Sequence, residues 1–372
     1  MPAIPFLDLQ SLNCSLESEL DQAFHDVLRS GWFILGEHVS AFEREYAQFS
    51  GTRYAVGVAN GLDALHIALR VLGVGYGDEV IVPSNTYIAT LLSVSFVGAT
   101  PVLVEPRKTT YNINPEGIEA AITSRTKAIM PVHLYGQAAE MEAIMDIAEK
   151  YGIYVVEDNA QAHGAFYNGK PTGSFGHINA TSFYPGKNLG ALGDAGAITT
   201  DNPDYNIRAR SWRNYGSQKK YYNEVLGYNS RLDELQAAFL LKKLPLLYSQ
   251  NAERERLATL YTQNLQGVGD IITPVLADNA SSVFHLYVIR TAKRDALQEY
   301  LAQQGIGTMI HYPIPPHLQE AYKHQGWKKG QFPIAEEIAE TCLSLPLYPG
   351  LSDTNVEYVV EHIKRFFATH SA

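Results

Sequence analysis

Across the first two thirds of the chain, short apolar runs alternate with amphipathic stretches, and this alternation restricts the possible folds more than any other feature. The runs at 54–59, 79–82, 101–104, 127–132, 153–157, 180–183 and 195–199 read as strands. Between them, 62–72, 86–97, 115–122 and 139–151 read as helices. Leu65, Ala68, Leu69 and Leu72 share one face of the first. Continuously apolar strands separated by helices are the mark of a parallel sheet covered on both faces. A long helix then runs from Leu232 toward Leu247, with Pro245 bending or ending it. Beyond about Tyr248 the pattern changes to a charged helix at 251–266, a strand at 283–290 and helices at 292–304, 334–342 and 356–369. The expected architecture is a large α/β domain over 1–248, whose N-terminal segment is free to pack elsewhere, and a small C-terminal α+β domain over 249–372.

Composition narrows the function. The chain has 372 residues, 46% of them hydrophobic, so disorder is excluded. A formal charge of −10 argues against a broad nucleic-acid-binding face. Two cysteines, Cys14 and Cys342, make neither a disulfide framework nor a zinc set. With no Lys or Arg before Arg29 to mark a secretory leader, the expected location is cytoplasmic. Residues 80–104 carry no charge and are long enough to cross a bilayer. Pro83, Ser84, Asn85 and Thr86 break that run near one end, and Gly98, Thr100 and Pro101 near the other, so it reads as strand, loop, buried helix and strand rather than a membrane span. Tyr outnumbers Phe by 23 to 14, which suits wet ligand sites, where a flat apolar face and a hydroxyl are both useful.

No dinucleotide or P-loop glycine motif is present, and no H-E-x-x-H zinc motif. Four other features carry chemistry. Asn60-Gly61-Leu62-Asp63 joins a strand to a helix, whose first turn offers free N–H groups to an anion; an ordinary turn is the plainer alternative. Asp158, in Glu157-Asp158-Asn159-Ala160-Gln161, falls at a strand's carboxyl end, where α/β sheets bind ligands; it could equally cap the next element. Lys187 ends Ser182-Phe183-Tyr184-Pro185-Gly186-Lys187 in a glycine-dense segment. A lysine in a crowded, partly dry site has a lowered pKa and attacks carbonyls, whereas most loop lysines are simply solvated. Asn229-Ser230-Arg231-Leu232-Asp233 enters the long helix and contains a cap, but a cap leaves Arg231 unexplained. Together these supply an anion cradle, a partner for a positive ring nitrogen and a carbonyl-reactive lysine, the set that a pyridoxal phosphate enzyme needs.

The sequence here resembles the DegT/StrS family of pyridoxal-phosphate-dependent sugar-nucleotide aminotransferases, which have the aspartate aminotransferase (type I) fold. The resemblance runs from Ser30-Gly31-Trp32-Phe33-Ile34-Leu35-Gly36 through the motifs at 60–65, 157–164 and 182–187 to 229–233. It implies that Lys187 bonds to the cofactor aldehyde, that Asp158 pairs with the ring nitrogen, and that Gln161 lies near the ring's phenolic oxygen. Tyr87 matches the residue that stacks on the ring. Gly61, Leu62, Asp63 and Ser182 match the phosphate cradle, and Asn229 the residue that reaches a neighbouring subunit's phosphate, which implies a homodimer with shared sites. Leu62 departs from the Thr or Ser common in relatives, so a side-chain phosphate bond is lost there while the backbone donors remain.

Retention of Lys187 separates the chain from relatives that carry histidine there and act as dehydratases. The stretch from Lys187 to Asp194, with the 157–164 motif and His311-Tyr312-Pro313, is most similar to transaminases making dTDP-3-amino-3,6-dideoxyhexoses. The implied partners are a nucleotide-linked keto sugar and L-glutamate, with O-antigen or lipopolysaccharide synthesis as the setting. Tyr184, Tyr215, Lys219, Tyr221, Arg231, His311 and Tyr312 are the candidates for holding the sugar nucleotide, with solvated-loop and structural roles as alternatives. Lys220 stands beside that set in the sequence. His163 is open between a cofactor-side role and a structural one. Rival readings are a C4-keto sugar aminotransferase, an amino-acid lyase on the same fold and a non-catalytic sensor.

Overall fold

The computed structural model describes residues 3–369. Seven strands, β1 (Tyr54–Val58), β2 (Glu79–Pro83), β3 (Thr100–Val104), β4 (Thr126–Ile129), β5 (Tyr154–Asp158), β6 (Ile178–Ser182) and β7 (Gly196–Thr200), form one sheet in the order β1-β7-β6-β5-β4-β2-β3. The run from β6 to β3 is parallel; β7 lies antiparallel to both neighbours. Helices cover both faces. Gly61–Val71 buries Leu65, Ala68 and Leu69 against Val56, Val80, Ile178 and Ile198, while Ile118 and Ile144, on the helices Pro115–Ala121 and Met141–Tyr151, pack with Ile81 and Ile129.

The expected chargeless span resolves into β2, the helix Ile88–Phe96 and β3. Among the described residues no helix is long and apolar enough to cross a membrane. Pro245 falls in a tight turn that separates two helices. The helix Glu234–Lys243 passes through a tight turn at Leu244–Leu246 into Leu247–Leu265, because a proline in a first helical turn forfeits no hydrogen bond.

The C-terminal unit has its own core of Leu257, Tyr261, Tyr287, Leu297, Leu343, Val356 and Phe366. Here the structure corrects two boundaries. The strand expected at 283–290 is only β8 (Tyr287–Arg290), since Val283 and Leu286 donate their N–H groups to Gly136 and Tyr135 instead of continuing a ladder. At Cys342 the helix gives way to β9 (Cys342–Leu345), which pairs antiparallel with β8. The start of the chain belongs with this unit: Ile4 exchanges 2.8 Å backbone hydrogen bonds with Gly305 and Gly307 and packs in its core.

Candidate active site

At the carboxyl ends of β5 and β6 lies a cavity of about 800 Å³. The strand ends, the first turns of two helices, the N-terminal residues Phe6 and Leu7, and C-terminal residues including His285, His311 and Leu345 all line it.

Asp158 is the last residue of β5 and is 5% exposed. Its Oδ2 accepts from Thr90 Oγ1 at 2.9 Å and its Oδ1 from the Ala160 N–H at 3.2 Å. Thr86 in turn donates to Thr90 at 2.8 Å. Burial raises the Asp158 pKa, opposed by these donors and by the charge of Lys187. The floor beneath is densely hydrogen-bonded. Glu157 faces away from the cavity and accepts from the N–H groups of Gly173, Phe175 and Gly176 and from His133 Nε2 at 2.6–2.8 Å. His133 Nδ1 accepts the Ala139 N–H, which fixes the proton on Nε2.

Lys187 sits in the loop leaving β6, pinned on both sides. Phe183 and Ala195 close the loop neck at 2.8 Å, and the Asn188 side chain donates to Asn251 and to the Val283 carbonyl. A Cβ at Gly190 would lie 2.2 Å from the Pro185 carbonyl oxygen, so only glycine permits this close turn. Burial lowers the Lys187 pKa from 10.5 to about 8, against the opposing pull of Asp158. Roughly a tenth of the amine is then uncharged at pH 7, the form that attacks a carbonyl.

The helix Gly61–Val71 points its N-terminus into the same cavity. Asn60 caps it by accepting the Asp63 N–H at 2.8 Å. This corrects one expectation: the Asp63 N–H is engaged by the cap, whereas those of Gly61 and Leu62 have no partner among the described residues. A Cβ on Gly61 would stand 2.5 Å from Ser182 Cβ, so glycine lets the helix start seat directly on the end of β6.

Opposite this turn, Gln161 accepts the Tyr135 N–H at 2.7 Å and donates to the Tyr312 hydroxyl at 3.1 Å. The rings of Tyr312 and Tyr87 lie 5.2 Å apart. His311 bonds Ser344 Oγ at 2.8 Å through Nδ1, and burial drops its pKa to about 4, so it is neutral.

The cavity thus gathers Gly61, Leu62, Tyr87, Asp158, Gln161, Ser182, Tyr184, Lys187, His311 and Tyr312. Asp63, Tyr215, Lys219, Tyr221, Asn229 and Arg231 do not line it. Arg231 instead stacks on Tyr215 and donates to Asn214, and Lys219 and Tyr221 sit on the 217–223 ribbon, where Tyr221 is 85% exposed. His163 is fully buried outside the lining, stacked on Phe183 and bonded through Nε2 to the Ser182 carbonyl, which favours its structural reading.

Sequence reasoning missed Thr90, Arg254 and His285. His285 is hidden within an apolar run, and Arg254 within Glu253-Arg254-Glu255-Arg256. Helical spacing could have found Arg254, because Asn251, Arg254, Leu257, Ala258 and Tyr261 share the buried face of one helix.

These residues fit pyridoxal phosphate: a buried carboxylate for the ring nitrogen, free N–H groups for the phosphate and an amine of lowered pKa for the aldehyde. Comparison with known proteins agrees. The profile of the DegT/DnrJ/EryC1/StrS aminotransferase family matches residues 15–364. The chain is 54% identical over 363 residues to the dTDP-3-amino-3,6-dideoxy-alpha-D-galactopyranose transaminase of Aneurinibacillus thermoaerophilus, covering 98% of this chain and 99% of that one. The solved structure of S. venezuelae DesV superposes with a TM-score of 0.97 at 47% identity, covering 98% and 99% of the two chains. That of NtdA from Bacillus subtilis with its bound cofactor PMP gives 0.92 at 33% identity, covering 99% and 86%. The architecture is that of fold type I, and the chain belongs to the DegT/DnrJ/EryC1/StrS aminotransferase family as an enzyme dependent on pyridoxal phosphate.

Proposed function

We propose that the protein transfers an amino group from L-glutamate to C3 of a dTDP-linked 3-keto-6-deoxyhexose, giving a dTDP-3-amino-3,6-dideoxyhexose for a surface polysaccharide such as an O-antigen. The observation that carries the transaminase reading is the convergence of Lys187, Asp158, Gln161 and the Gly61–Leu62 turn on one cavity. The relative at 54% identity, named for a 3-amino-3,6-dideoxygalactose product, supports the sugar. When bound, the cofactor supplies an electron sink for the amino donor's α-carbon. Asp158 would keep the ring nitrogen protonated, and Gln161, bonded to the Tyr312 hydroxyl, would lie near the ring's phenolic oxygen. Lys187 Nζ, which lines the same cavity, would move the proton at the reacting carbon in both half-reactions. Tyr184 (59% exposed) sits at the mouth, suited to pack on the nucleotide or sugar ring.

The sites are completed in a cytoplasmic homodimer, with Asn229 of each chain reaching the other's phosphate cradle. Two features support this: Asn229 and the 217–223 ribbon lie outside their own cavity, and Phe24, Leu28, Trp32 and Phe33 stand exposed together in sequence.

The test is the purified holoenzyme assayed side by side with dTDP-3-keto-6-deoxyglucose, its galacto epimer and a 4-keto sugar. Glutamate should bleach the visible cofactor band, and a 3-keto sugar should restore it. Restoration by the 4-keto sugar alone would overturn the C3 assignment. Lys187→Ala should lose turnover by several orders of magnitude, and full activity in that variant would remove Lys187 from its role.

A further inference from the structure

Among the described residues, four arginines are buried: Arg213, Arg254, Arg290 and Arg294. Three have a carboxylate within salt-bridge distance, namely Glu43, Glu337 and Asp295 respectively. Arg254, 4% exposed, has none. Its Nη1 donates to the Leu347 carbonyl at 3.0 Å, and its Nε has no partner. Burial alone acts on it, lowering its pKa to about 10 with no neighbouring anion to offset the cost. Buried charges are ordinarily paired, so this guanidinium lacks a counter-ion that a ligand can supply.

Its position says which ligand. Among the described residues, Arg254 is the one lysine or arginine besides Lys187 that lines this cavity. Of the two lining carboxylates, Asp158 is committed to Thr90 and Ala160, and Asp194 is exposed. On its other side, Arg254 borders a cavity of about 40 Å³ shared with Lys187 and Lys243, lined by no acid. His285, which also lines the main cavity, is kept neutral by burial and by the positive charges of Lys187 and Arg254.

Resting on the transaminase reading, we propose that Arg254 is the anchor for a carboxylate of the amino donor and of the oxo acid that leaves. The donor's α-carboxylate is bonded to the carbon that carries the transferred nitrogen, so it must enter the cavity beside Lys187. A sugar's diphosphate is several bonds from C3, so the chemistry does not require it beside Lys187. The Leu347 carbonyl holds one arm of the guanidinium and leaves the remaining N–H groups for a carboxylate.

The test compares wild type, Arg254→Gln and Arg254→Lys as holoenzymes. Bleaching of the cofactor band by L-glutamate reads the donor half-reaction, and its restoration by the keto sugar reads the acceptor half. Calorimetric titration with glutarate, an unreactive dicarboxylate, reads binding without turnover. Arg254→Gln should need at least about 30-fold more glutamate and bind glutarate correspondingly more weakly, with the keto-sugar half within about twofold of wild type. Arg254→Lys should recover part of the loss. Unchanged glutamate and glutarate dependence, or an equal fall in both half-reactions, would overturn the assignment. A wild-type band that no amino acid bleaches would instead refute the transaminase reading itself.

Discussion

Lys187 shows how one residue's chemistry is set against the stability of the chain. Its pKa of about 8 in the fold, against 10.5 when free, means that the folded state disfavours its ammonium, net of the attraction of Asp158. Below pH 8 the amine is charged in both states, and the folded state carries the whole penalty. As pH rises from 8 to 10.5 the folded amine is already neutral, so the penalty fades and is gone above 10.5. Lys187→Met should therefore stabilise the cofactor-free protein at pH 7, by up to about 3 kcal/mol. The gain should vanish near pH 11, which urea unfolding at the two pH values checks. A gain that does not depend on pH would show that packing, not charge, separates the variant from wild type. The placement of this lysine was legible in the sequence, because a strand delivers it into glycine-dense chain. Its lowered pKa was not, since that depends on walls contributed from residues distant in sequence.

Two kinds of element shape the site, and they differ in how far the sequence declares them. Buried parallel strands are continuous apolar runs, so β1–β7 are found within a few residues of their expected places. Loops recruited by distant contacts are not. Val283 and Leu286 look like strand residues, yet they are drawn onto Tyr135 and Gly136, and that contact is what turns His285 into the cavity. Arg254 reads as part of a solvated charged helix until the helix is packed. The Gly61–Val71 helix is the element whose seating can be tested most directly. Gly61→Ala places a methyl group 2.5 Å from Ser182 Cβ and 3.0 Å from its Cα, contacts that cannot relax without moving the helix start off β6. Overpacking of this kind costs about 1–3 kcal/mol. It should appear chiefly as weaker cofactor retention, at least about tenfold, because the Gly61 and Leu62 N–H groups move with the turn. Equilibrium dialysis of the cofactor, alongside thermal unfolding of the cofactor-free protein, checks this. Unchanged cofactor affinity with a lowered melting temperature would place the phosphate elsewhere.

At the scale of the whole molecule, the cavity is assembled from chain ends and middles alike, with Phe6 and Leu7 facing Asp158, Lys187, His311 and Leu345. Yet it takes nothing from the exposed ribbon at 217–223 or from Asn229 and Arg231. If these complete a partner's site, each site has Lys187 from one chain and Asn229 from the other, and variants broken in different halves must complement. Lys187→Ala alone and the double variant Asn229→Ala, Arg231→Ala alone should each be nearly inactive. Dissociated, mixed in equal amounts and reassociated at random, half of the dimers are hybrids. In each hybrid one site combines intact Lys187 with intact Asn229 and Arg231, while the other lacks both contributions. Activity should therefore return to roughly a quarter of the wild-type level, one intact site in two for half of the dimers. The double variant should also retain the cofactor less well before mixing, because its loss falls on the phosphate side. No recovery on mixing, in preparations shown by mass spectrometry to contain hybrids, would mean that each chain builds its whole site alone. In that case the ribbon serves some surface other than the shared one.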